Sequence, residues 1–184
     1  LNKGKSGLNI QVEMLNQSNA VEEIEVETEL FDPSGKSINK KLTKTKINAS
    51  GKNAIELVLK VNDPALWSIN SPNLYVLKTK LISEGKILDQ SEIKTGFRKF
   101  TFDPDKGFAL NGQWMKVKGV CIHHDAGVLG SELYPTVWRR RLMKLKEIGV
   151  NAIRTSHNPQ GSSFYDLCDE LGFLVINEAY DEWE

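Results

Sequence analysis

Through the first hundred residues, apolar and polar positions alternate. Leu8, Ile10, Val12 and Met14 are each separated by a polar residue, the period-two signature of a half-buried strand. Ile24, Val26, Thr28 and Leu30 alternate with Glu23, Glu25, Glu27 and Glu29, and Asp32-Pro33-Ser34-Gly35 ends that run with turn-forming residues. Residues 38–47 form a lysine-rich strand expected at a sheet edge, where charge discourages further pairing. Ile55, Leu57 and Leu59 alternate again, as do Tyr75, Leu77, Thr79 and Leu81. Residues 87–93 give a last strand, joined to its predecessor by a hairpin over Ser83-Glu84-Gly85-Lys86. About seven short strands with regular turns predict an immunoglobulin-like β-sandwich over residues 1–100. Without a Cys-Trp-Cys spacing, an antibody-type domain is not expected.

The period changes after Gly96-Phe97-Arg98. Asn111-Gly112, flanked by Phe108-Ala109-Leu110 and Trp114-Met115-Lys116-Val117, predicts a tight hairpin. Residues 117–124 then form an apolar strand that ends in two histidines. Trp138, Leu142, Leu145 and Ile148 recur at helical spacing, with Thr136 the expected N-cap and Gly149 the stop. A short apolar strand at Val150–Ile153 leads into Arg154-Thr155-Ser156-His157-Asn158, and Pro159 closes it by forcing Asn158 out of helical geometry. Phe164, Leu167, Cys168 and Leu171 mark a second helix, capped by Ser162 or Ser163 and ended by Gly172. Phe173–Asn177 is continuously apolar up to its last residue, as expected of a parallel strand covered on both faces. Residues 101–184 therefore read as β-α-β-α-β, connected right-handedly.

Composition adds little. Apolar residues make up 40% and charged residues 26% of 184, an ordinary globular balance. Twenty-four basic residues match 24 acidic ones, which leaves no electrostatic footprint for nucleic acid or an anionic membrane. Arg139, Arg140, Arg141, Lys144 and Lys146 accordingly read as a solvated helix face. No apolar run reaches the ~20 residues needed to cross a bilayer. Cys121 and Cys168 read as two free, buried thiols rather than a disulfide framework. Leu66–Tyr75, with Trp67, Pro72 and Tyr75, reads as a crossover loop pinned by its aromatics onto the sandwich; a sugar-stacking platform is the alternative.

The chemistry gathers at strand ends. His123, His124 and Asp125 follow the first parallel strand, Arg154, His157 and Asn158 the second, and Glu178 the third. In an α/β barrel such ends converge on one face, and this mixture of donors and acceptors suits a polyhydroxylated ligand. Neighbouring residues on a strand point opposite ways, so at most one of His123 and His124 faces inward, and the other should pack under a helix or loop. Zinc held by His123, His157 and Glu178 is the rival reading, without a metal-binding spacing to support it. Glu178 is also a candidate ion-pair partner for Arg154.

Four motifs in order carry a family resemblance: Lys118–Asp125, Asn151–Pro159, Phe164–Gly172 and Glu178–Trp183. Together with the Trp67–Tyr75 loop and Gly96-Phe97-Arg98, they resemble glycoside hydrolase family 2, the family of β-galactosidases, β-glucuronidases and β-mannosidases. The resemblance covers nearly the whole chain. It implies an immunoglobulin-like sandwich (1–100) followed by about three β-α units of a (β/α)8 TIM barrel (101–184). It implies that His123 and His157 hold sugar hydroxyls, joined by Asn158, which stands where the family often has an aromatic residue. Arg154 would sit beside the nucleophilic glutamate, with Glu178 supporting the site.

The resemblance further implies a retaining exo-β-glycosidase for terminal β-linked sugars, with β-galactosidase favoured. The family's acid/base and nucleophilic glutamates are expected beyond Glu184, so the chain reads as an internal fragment, itself inactive and prone to self-association. Beginning at Leu1 without a signal-peptide pattern, it also reads as a processed or excised piece of unassigned compartment. No cofactor is expected, although the family leaves room for a divalent cation in the whole enzyme. A stand-alone carbohydrate-binding or interaction module is the alternative from a different class.

Overall fold

The structure is a computed structural model that describes residues 5–132 and 134–180. It divides into two compact units. One comprises the residues up to Ala65 together with Leu74–Phe97; the other comprises Leu66–Asn73 and the residues from Arg98 onward.

The first unit holds six strands, one fewer than the pattern suggested: β1 (Lys5–Leu15), β2 (Glu22–Phe31), β3 (Ser37–Ile47), β4 (Lys52–Asn62), β5 (Tyr75–Ser83) and β6 (Lys86–Thr95). β1 pairs with β4, and the second sheet has the order β3-β2-β5-β6. The alternating residues become the core: Ile10, Leu57, Leu59 and Val61 meet Leu30, Tyr75 and Leu77, and Met14 meets Ile24, Val26 and Ile47. The lysine-rich run is the edge strand β3. Its charges serve a further purpose, because Lys40, Lys44 and Lys46 pair across the ladder with Glu27, Glu25 and Glu23. The β5–β6 turn has positive φ at Glu84 and Gly85, as a two-residue hairpin requires.

The second unit opens with a meander of β7 (Phe100–Asp103), β8 (Gly107–Leu110) and β9 (Gln113–Met115). Asn111 and Gly112 make its expected tight turn, both at positive φ. Three parallel strands follow in the order β10-β11-β12: β10 (Gly119–Ile122), β11 (Ala152–Thr155) and β12 (Leu174–Asn177). The helices α1 (Pro135–Glu147) and α2 (Ser162–Leu171) link them. Ile122, Ile153, Trp138, Leu142, Phe164, Leu167, Cys168 and Phe173 form the core between the strands and the helices. Asn151 ties the start of β11 to the approach of β10: its side chain donates to the Lys116 carbonyl (3.0 Å) and accepts from the Lys118 amide (2.7 Å).

Several local expectations need correction. Helix α1 begins at Pro135 with Tyr134 as N-cap, not Thr136, because proline is preorganised for the first helical position and has no N–H to satisfy. Gly161, not a serine, precedes α2. The inner face of the β12 sheet is not covered, and Ile176 is 58% exposed. The Leu66–Asn73 loop belongs to this unit, not to the sandwich. Trp67 is 1% exposed, its Nε1–H donates to the Asp169 carbonyl of α2 at 2.8 Å, and the Arg98 guanidinium lies over its ring at 4.8 Å.

Candidate functional site

Alternation along the three parallel strands sorts their side chains onto two faces. Val120, Ile122, Ile153 and Val175 pack among the helices. Cys121, Arg154 and Ile176 occupy the other face in one row, because Cys121 is in register with Arg154 and Arg154 with Ile176. Arg154 therefore lies within β11 rather than past its end, two residues later than the apolar pattern suggested. His123 follows Cys121 by two residues, and Glu178 follows Ile176 by two, so both continue that face just beyond the strands.

The structure brings four of the five expected site residues together. Arg154 forms an ion pair with Glu178 Oε1, and His157 Nδ1 lies 2.9 Å from Glu178 Oε2. One carboxylate thus bridges a guanidinium and an imidazole. The His123 and His157 rings meet edge to face, 5.4 Å between centroids. Asn158 is half-buried beside them in the chain, with its Oδ1 buried and without a hydrogen bond from a described protein atom. The Ser156–His157 peptide is cis. His124 is exposed rather than packed under an element. Among the described residues, no group of three or more His, Cys, Asp or Glu side chains is arranged to hold a metal ion.

Cys121 is exposed, not buried as expected. Arg154 Nη1 donates to its sulfur at 3.5 Å. That contact, followed by one from Ser156, pulls the thiol below its ordinary range, and the same contact and then the Glu178 charge push Arg154 further up. Burial does the opposite to Cys168, whose thiol is pushed up to about 12.

Sequence reasoning missed the polar layer beneath the site. Thr155 is fully buried; its hydroxyl donates to Asn177 Oδ1 at 3.0 Å and accepts from the Glu178 amide at 3.1 Å. Tyr165 Oη donates to the same Asn177 oxygen at 2.5 Å and accepts from the Gln160 amide at 2.9 Å. Thr155 directly after Arg154 was the available signal, since a hydroxyl on the helix-facing side of a strand needs a partner. Tyr165 carried none, because it stands outside the Phe164, Leu167, Cys168 and Leu171 set that marks the inner face of α2.

Residues 1–98 match the family described as glycosyl hydrolases family 2, and residues 104–182 match the TIM barrel domain of that family. The chain belongs to glycosyl hydrolases family 2. Its sandwich is followed by part of a TIM barrel domain. Among curated relatives, a β-galactosidase of Bacteroides ovatus is 38% identical over 96% of this chain and 21% of its own length. A family 2 member from Bacteroides cellulosilyticus superposes with a TM-score of 0.90 at 35% identity, over 96% of this chain and 24% of that one. A Bacteroides uniformis β-glucuronidase gives 0.92 at 32% identity, over 97% and 22%. The chain thus spans about a fifth to a quarter of the length of these three relatives. Of the fourth family motif, Asp181, Glu182 and Trp183 lie outside the described residues.

Proposed function

We propose that this chain forms the sandwich and one wall of the sugar-binding barrel of a retaining exo-β-glycosidase that releases terminal β-linked sugars, with β-galactosides favoured. One observation carries the reading. In a family 2 chain, His123, Arg154, His157 and Glu178 converge at the C-terminal ends of adjacent parallel strands, where barrel enzymes build their sites. In this reading His123, His157 and Asn158 hold sugar hydroxyls. Arg154 and Glu178 support them, the ion pair fixing the guanidinium and the carboxylate anchoring the imidazole.

The chain by itself hydrolyses no glycoside. Retention takes two carboxyl groups about 5 Å apart, one as nucleophile and one as general acid. Among the described residues, Glu178 is the carboxylate found against His157, and it is already engaged by Arg154 and His157. The exposed inner face, with Ile176 and Cys121 upon it, should also drive self-association of the isolated chain.

Two measurements test this. Purified chain should release no nitrophenol from β-galactoside, β-glucuronide or β-mannoside, and its mass in solution should exceed that of a monomer. A chimera carrying this sequence in place of the matching segment of the B. ovatus β-galactosidase should hydrolyse the β-galactoside fastest. Turnover by the isolated chain that disappears in Glu178→Gln would contradict the proposal, as would a folded but inactive chimera.

A further inference from the structure

We infer that Tyr165, acting with Asn177 and Thr155, is a positioning residue for the sugar-facing wall. From the outer side of the sheet it fixes where His157 stands against Glu178 and which ring nitrogen carries the proton. The inference rests on the function proposed above only for the word sugar; the hydrogen-bond geometry stands without it.

Proton counting makes the network directional. A hydroxyl has one proton to give and can accept in addition. The Gln160 and Glu178 amides can only donate, so Tyr165 Oη and Thr155 Oγ1 accept from them. Both hydroxyls then spend their own protons on Asn177 Oδ1, at 2.5 and 3.0 Å. That oxygen has two lone pairs, and the network fills both.

The consequence lies in which backbone segments are held. His157 sits in a loop tied at its start by the Ser156 amide, which donates to the Ile122 carbonyl at 2.9 Å. The loop is tied at its far end by the Gln160 amide on Tyr165. Glu178 is tied through its own amide to Thr155. Asn177 joins the two ties, so the spacing between the His157 loop and the Glu178 backbone is set through Tyr165 and Asn177 as well as by the contact across the site. An ionised carboxylate only accepts. At 2.9 Å from Glu178 Oε2, Nδ1 therefore carries a proton directed at the carboxylate.

Imidazole 15N spectra of the full 184-residue chain, with backbone amide exchange on the same samples, test this. Wild type should show His157 in the Nδ1–H form. Tyr165→Phe keeps the ring, which packs at 5.7 Å from Phe164, and removes only the hydroxyl. It should speed Gln160 amide exchange by roughly 2- to 10-fold, the worth of one neutral hydrogen bond, and introduce the Nε2–H form. Asn177→Ala, at an exposed position, should do the same and serves if the tyrosine variant does not fold. Asn177→Asp keeps an acceptor oxygen and should restore the wild-type tautomer. An unchanged His157 tautomer and unchanged Gln160 exchange in both Tyr165→Phe and Asn177→Ala would overturn the inference. So would a tautomer shift in Asn177→Asp equal to that in Asn177→Ala, since packing alone would then explain it. Galactose added to the wild-type sample reads the other question separately. Absence of any shift at His123 and His157 counts against the sugar reading and leaves the positioning result as measured.

Discussion

Trp67 should stabilise the α/β unit and leave the sandwich unchanged. Its ring is almost fully buried, its Nε1–H satisfies the Asp169 carbonyl near the end of α2, and its own carbonyl accepts from Asn111 Nδ2 at 2.9 Å. Trp67→Phe keeps most of the buried ring and leaves the Asp169 carbonyl without its donor, a cost of about 1–3 kcal/mol. Trp67→Ala also removes the ring and the surface beneath the Arg98 guanidinium, and should cost about 3–5 kcal/mol. Each 1.4 kcal/mol is tenfold in an opening equilibrium. Amide hydrogen exchange should therefore accelerate by about 10-fold or more in α2 and β12 for the Phe variant, and by ~100-fold or more for the Ala variant. β2 and β5 should exchange as in wild type. Local stability differs between cooperative units, so exchange separates them where a single melting midpoint does not. Faster exchange confined to the sandwich strands, with α2 unaffected, would refute this reasoning and restore the reading in which the loop belongs to the sandwich.

Three further outcomes are expected. A thiol reagent should modify Cys121 and spare Cys168 in the folded chain, because one thiol is exposed beside Arg154 while the other is buried and pushed up to about 12. Cys121 labelling should reach half its maximal rate at a pH below that of an ordinary thiol, and Arg154→Ala should move this midpoint upward, since the thiolate loses its guanidinium donor. An unmoved midpoint would remove Arg154 as the cause. Gly172→Ala should destabilise the α/β unit by more than the ~1 kcal/mol of a left-handed alanine, because Gly172 has φ +75° and a Cβ there would meet the Ile69 carbonyl at 2.2 Å; denaturant midpoints compared with Gly149→Ala in the same unit, which meets nothing at a similar φ, isolate the clash. Lys44→Ala and Lys46→Ala at the β3 edge should each leave the denaturant midpoint close to that of wild type, with any difference shrinking at high salt, because these pairs are exposed.

What the chain made legible was local. Alternation located each sandwich strand because one face of the sheet is buried and the other wet. Asn111-Gly112 and Glu84-Gly85 announced their hairpins because few residues tolerate positive φ. The histidines and Glu178 could be placed at strand ends, but their mutual contacts depend on parallel register between segments more than 20 residues apart. The Trp67 loop was misplaced because its anchor, the Asp169 carbonyl, is 102 residues away, and a backbone acceptor leaves no mark in composition. Cys121 looked buried because its neighbours Val120 and Ile122 are apolar; only the sheet tells which face each residue takes. Tyr165 stands outside the apolar set of α2, and nothing in the sequence pairs its hydroxyl with Asn177, twelve residues on, before the fold brings them together.

The central claim is that the inner ends of β10, β11 and β12 form a sugar-binding wall. It is tested most directly in an active family 2 enzyme carrying this sequence, by comparing kcat/KM on a nitrophenyl β-galactoside for His123→Ala, His157→Ala and His124→Ala. Each inward histidine removed should cost about 1.5–3 kcal/mol of transition-state binding, roughly 10- to 150-fold in kcat/KM. His124→Ala should stay within a few-fold of wild type, because His124 lies outside the His123–His157 ring contact and the His157–Glu178 contact. Equal losses at all three histidines, or no loss at His123 and His157, would contradict the account.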